Sequence, residues 1–119
     1  MIKLVLDSNV IISAIVFGGK PRIILNFIIE GRFTLCLSKA IIDEVLEILE
    51  IKFKYPQNVL SVIENEMKSI SLMIEPDIKI NDIVDDEDDN RILECAVTAK
   101  CDYILIPQSP IPLDILLKV

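Results

Sequence analysis

Six of the eight residues from Asp82 to Asp89 are acidic, and they run straight into an apolar helical pattern. Carboxylates this dense either sit in solvated loop or gather around a cation. The chain contains no histidine, so Ser-His-Asp and Cys-His nucleophilic schemes, histidine general bases and His-containing zinc sites are all excluded. Chemistry must rest on carboxylates, hydroxyls, lysine or a bound metal. Three acids are placed by pattern against buried elements. Asp7 leaves the apolar run from Ile2 to Leu6. Glu44, three residues after Ile41 and four before Ile48, borders an apolar stripe, whereas Asp43 and Glu47 point further toward water. Asp89 precedes Leu93 by four and Ala96 by seven, extending the stripe of a following helix into its first turn. Three such carboxylates would repel one another in a partly dry pocket, and a divalent cation resolves the conflict. Oxygen-only ligation favours Mg2+ or Mn2+. These ions activate water and stabilise charge in phosphoryl transfer, which makes nucleic-acid hydrolysis the leading chemistry.

Each acid also has an ordinary role to set against this. An aspartate after a strand is often a helix cap, and most glutamates are simply solvated. Asp82, Asp85, Asp86, Glu87 and Asp88 suit a solvated loop beside the positive end of a helix. The conjunction of Asp7, Glu44 and Asp89 carries more weight than any single member.

The elements that must position these acids follow from an alternation of strand and helix patterns in 119 residues, a length suited to one domain. With 52% hydrophobic residues and a mean hydropathy of +0.53, a packed core is expected. Ile2 to Leu6 read as a strand covered on both faces. Val10 to Phe17 read as a short helix stopped by Gly18 and Gly19. A helical run follows Pro21, then the strand FTLCL. Ser38 caps a third helix with core positions Ile41, Ile42, Val45, Ile48 and Leu49. A fourth helix covers Val59 to about Ser69, and SLMIE is a third strand. The acidic run, a helix from Asn90 to Lys100 with apolar positions Ile92, Leu93, Ala96 and Val97, and the strand DYILI complete the series. This alternation predicts an α/β fold with a parallel sheet that binds ligands at the carboxyl ends of its strands.

No apolar run approaches the roughly 18 residues of a membrane span, and no leader pattern opens the chain, so a soluble, cytoplasmic protein without membrane contact is expected. Cys36, Cys95 and Cys101 lack metal-type spacing and read as reduced core thiols. The net charge of −7 is unusual for a nucleic-acid binder, but part of it belongs to the metal pocket. Two basic stretches, Lys20 with Arg22 and Lys52 with Lys54 and the aromatic Tyr55, are candidates to guide an RNA strand.

Three blocks carry a resemblance. KLVLDSNVIISAIVFGGKPRIIL, FTLCLSKAIIDEVLEIL and DDEDDNRILECAVTAKCDYIL resemble successive blocks of PIN-domain ribonucleases, in particular those described as toxin components of toxin–antitoxin systems. The resemblance implies a three-layer α/β/α sandwich with a central parallel sheet, Mg2+ or Mn2+ at clustered acids, endonucleolytic cleavage of RNA, an antitoxin partner and frequent homodimers. By position, Asp7, Glu44 and Asp89 match the family's acids, with Asp86 and Asp88 as alternatives within the acid-rich run. The resemblance breaks after DYIL. The family's Thr/Ser-Gly-Asp turn is replaced by IPQSP, so Gln108 stands where a fourth acid is expected. Gln108 still offers an amide oxygen to a metal or a water, but no charge. From residue 106 onward the tail is divergent, and its terminal elements are expected to be shortened. Two folds with related pockets fit less well: LDSN lacks the paired acids of a signalling receiver domain, and Asn9 replaces the second aspartate of an aspartyl phosphatase.

Overall fold

The computed structural model describes residues 1–79, 87–106 and 114–118, with residues 87–89 and 114–118 as backbone alone. In chain order the elements are β1 (Lys3–Leu6), α1 (Ser8–Val16), α2 (Gly19–Ile29), β2 (Thr34–Ser38), α3 (Lys39–Ile51), α4 (Gln57–Ile70), β3 (Ser71–Ile74), α5 (Glu87–Ala99), β4 (Tyr103–Ile106) and β5 (Asp114–Lys118). The sheet order is β3-β2-β1-β4-β5. The first four strands are parallel, and β5 pairs antiparallel with β4. The expected α/β sheet is therefore present. The tail, expected to carry shortened terminal elements, supplies one short strand among the described residues, β5. The free edge of β4 offers unpaired backbone groups, and the short run DILLK, which follows the prolines, takes them up.

Both faces of the sheet are covered, which explains the continuous apolar runs in its central strands. Successive strand residues point to opposite faces. In β2, Cys36 meets Cys101 on the side of α5, while Leu35 and Leu37 line an apolar cavity with residues of α1, α2 and α4. Helix α3 packs on β2 and touches α1, α4 and α5. Its buried stripe of Ile41, Ile42, Val45 and Leu49 follows the expected helical period, although Ile48 is only half-buried. The Ser38 hydroxyl caps the helix by accepting from the Ile41 N–H at 3.4 Å.

Three departures have local causes. Helix α2 starts at Gly19, before Pro21. Gly18 and Gly19 turn the chain with φ of 79° and 66°, and a proline in the first helical turn forfeits no intrahelical hydrogen bond. In α5 the buried stripe is Ile92, Cys95, Ala96 and Ala99, whereas Val97 is 46% exposed and Leu93 half-buried. The helix is rotated because it lies on β1 and β2, where its small Cys and Ala residues allow close approach. Finally, two lysines lie in the left-handed region, Lys54 at φ 59°, three residues beyond α3, and Lys100 at φ 55°, directly after α5, positions where glycine is usual. Cys36, Cys95 and Cys101 are free and buried, as expected. Among the described residues no single helix is long and apolar enough to cross a membrane.

Candidate active site at the carboxyl edge of the sheet

β1 ends at Leu6, so Asp7 emerges at the carboxyl edge in the centre of the sheet. Its backbone is fixed from both sides. The Asp7 N–H donates to the Leu105 carbonyl of β4 at 2.9 Å, and its own carbonyl accepts from Val10 and Ile11. β1 runs parallel to β2, whose last residue is Ser38, with Leu4 opposite Leu35. Asp7 occupies the N-cap position of α1, yet its side chain makes no capping hydrogen bond. The carboxylate is therefore not spent on the ordinary role of an aspartate after a strand. It is only 8% exposed, and Asn9 donates to it across 3.5 Å, a long contact.

Glu44 reaches the same edge from α3. It is half-buried, and its Oε2 accepts from the hydroxyl of Ser8 at 3.0 Å. Ser8 is fully buried and adjacent to Asp7, so one hydrogen bond ties the second acid to the first. Asp88 and Asp89 lie in the first turn of α5; their side chains fall outside the described residues, as do Asp86 and Gln108 entirely. Among the described residues, no group of three or more His, Cys, Asp or Glu is placed to hold a metal. The two described acids supply oxygen donors only, a set that suits a hard divalent cation.

A second fully buried acid, besides Asp7, was not anticipated. Glu94 is 4% exposed and pairs with Arg91 at 2.8 Å. It lines a cavity with Ser38, Lys39 and Lys79 at the carboxyl ends of β2 and β3. The i, i+3 spacing from Arg91 was the available signal, masked by reading Val97 as a core position. Asn90, also buried, lies one turn before Glu94. The threonine of the same helix, Thr98, donates to Asp77 at 2.9 Å and accepts its backbone N–H, which binds the segment after β3 to α5.

The basic residues are distributed over two segments. Lys20 and Arg22 are exposed on α2, with Arg22 on the rim of the apolar cavity between α1, α2 and α4. Lys52 and Lys54 are exposed just beyond α3, whereas Tyr55 is half-buried against the core. The exposed aromatic in this region is Phe17, 74% exposed.

The sequence profile of the family described as PIN domain matches residues 3–105. An uncharacterized protein of Methanocaldococcus jannaschii is 35% identical over 104 residues, covering 83% of this chain. The match spans 66% of that relative, a little under two thirds of its length.

Proposed function

Since the chain belongs to the PIN-domain family, whose members are generally nucleases using divalent metal ions, we propose that it is a metal-dependent endoribonuclease and the toxin component of a toxin–antitoxin system. The observation that supports this most is the Ser8 to Glu44 hydrogen bond, which holds two acids from different elements at one sheet edge. In this reading Asp7, Glu44 and Asp89 hold Mg2+ or Mn2+. A divalent ion held there would supply Lewis acidity for activating water and charge neutralisation at the phosphate. The chain's own residues prepare the site. Ser8 orients the Glu44 carboxylate, and the Leu105 carbonyl and α1 fix the backbone of Asp7. Exposed Lys20, Arg22, Lys52 and Lys54 offset the net negative charge where an RNA backbone approaches. An antitoxin protein, a second copy of the chain and a cytoplasmic setting belong to the same proposal.

A second reading, a catalytically impaired binding or assembly module, is favoured by Gln108, which puts an uncharged amide at the family's fourth acidic position. One experiment decides between them. Cleavage of a labelled single-stranded RNA is followed with Mn2+ and with chelator, using the unaltered chain, Asp7→Asn and Gln108→Asp. The expected outcome is weak, metal-dependent cleavage that Asp7→Asn abolishes and that Gln108→Asp raises on the order of 100-fold, the usual worth of one preorganised charged group. Cleavage unaffected by Asp7→Asn would refute the site, and silence from Gln108→Asp would favour the binding module.

A further inference from the structure

We propose that Phe17, seated on Phe53, is a stacking platform for one base of a single-stranded RNA, set at a fixed distance from Asp7 and Glu44. This rests on the nuclease reading above and adds a substrate-binding position to it. Phe17 is 74% exposed and the one aromatic among the exposed large hydrophobics of the described residues. Its ring meets that of Phe53 edge-on, with centroids 6.0 Å apart and planes at 77°. Phe53 itself packs against the core, so the pair is anchored from below while Phe17 offers its surface to solvent. A ring held this way loses little freedom when a base stacks on it.

Charge favours a nucleic acid as the occupant. Lys52 and Lys54 flank Phe53 in the chain, and Lys20 follows Phe17 by three residues; all three are exposed. None of them forms an ion pair among the described residues. Lysine is depleted from the cores of protein–protein contacts, and two copies meeting here would oppose like charges. A phosphate backbone neutralises them instead.

The distance is set by two helices. Ser8 bonds Glu44 at the start of α1, and Phe17 meets Phe53 at its end; both pairs are 36 residues apart in sequence. α1 and α3 therefore run side by side in the same direction. The nine residues between the contacts correspond to about 13 Å at 1.5 Å per helical residue. A strand advancing 3.4 Å or more per nucleotide covers that distance in roughly two to four nucleotides.

The test uses the full chain carrying Asp7→Asn, without metal, and a short single-stranded RNA with 2-aminopurine placed at successive positions. Binding is read by anisotropy and stacking by quenching. Phe17→Ala is expected to weaken binding roughly five- to 150-fold, the range for one stacked base, and to remove the quenching, whereas Phe17→Trp restores both. Lys52→Ala and Lys54→Ala should each lower the salt slope by about 0.7. The quenched position should lie two to four nucleotides from the bond cut by the chain with Asp7 intact. Affinity unchanged in Phe17→Ala overturns the platform even if cleavage is intact, as does a parent that binds no RNA. A change in sedimentation with unchanged RNA affinity would assign Phe17 to a contact between copies and likewise overturn it. Phe17-dependent binding without any Asp7-dependent cleavage would support the platform and count against the nuclease reading alone.

Discussion

Removing the hydroxyl of Ser8 tests whether the two acids are held together by the hydrogen bond between α1 and α3. Ser8→Ala deletes a donor to a charged acceptor, an interaction worth about 1.5–3 kcal/mol when well formed. Ser8 is fully buried, so no water enters where its oxygen was. Glu44 is half-buried, so water partly replaces the lost bond at the other end, which lowers the expected cost to about 1–2 kcal/mol. For 119 residues, an unfolding entropy of about 2.1 cal/mol/K per residue converts this to a fall in Tm of roughly 4–8 °C. The discriminating assay is a double-mutant cycle with Glu44→Ala, read by urea unfolding. A coupling energy of about 1 kcal/mol or more is expected. Additivity within about 0.5 kcal/mol, the value for independent sites, would refute the tether. If Asp7 and Glu44 share a metal, the rise in Tm produced by Mn2+ should also shrink in Ser8→Ala.

Lys100 closes α5 at φ 55°, so Lys100→Gly is expected to stabilise the fold by about 0.5–1 kcal/mol, checked by thermal melting. Lys54→Gly, at φ 59°, should stabilise similarly and, under the stacking proposal, weaken RNA binding. The buried thiols set a pH dependence. Burial pushes Cys95 up to about 12 from 9.0, and Cys101 is raised by its hydrogen bond with Cys36 and by burial. Groups whose folded pKa is raised give full stability below the unfolded value and lose it as pH climbs past about 9. Cys36 is held down to about 7 by the Cys101 hydrogen bond, with Lys3 helping and burial opposing; its stabilisation is complete above 9.0 and is lost as pH falls through 7. The urea midpoint should therefore peak near pH 9, and Cys95→Ala should flatten the alkaline limb. A midpoint still rising at pH 10 would contradict this.

What could be read in the sequence follows the range of the forces involved. β1 and β2 were legible because burial on both faces leaves a run of apolar residues with little else. The stripe of α3 and its Ser38 cap are local patterns that need no knowledge of neighbours. The phase of α5 was misread because Cys95 and Ala99 carry little hydrophobic weight, and it is the contact with β1 and β2 that selects them over Val97. The prolines at 107, 110 and 112 argue against a helix, but only the open edge of β4 explains why a strand follows them. Asp7 and Glu44 were picked out by their phase relative to apolar neighbours. Ser8, which joins them, gave no signal, since its partner lies 36 residues away. Phe17 was passed over for Tyr55 because exposure is decided by packing that the sequence pattern does not contain.

The central place of β1 has a consequence for how the molecule is made. β1 pairs on one side with β2, which follows it closely in sequence, but on the other with β4, which begins at Tyr103. Closing so long a loop is slow and comes late in folding. Until it closes, one edge of β1 is open and the N–H of Asp7 lacks the Leu105 carbonyl that fixes it in the finished fold. The carboxyl edge of the sheet thus matures only when nearly all of the described chain has been synthesised. Under the nuclease proposal, a nascent chain carries no finished cleavage site before β4 has been made, and a partner proposed to recognise that edge would wait for the same event.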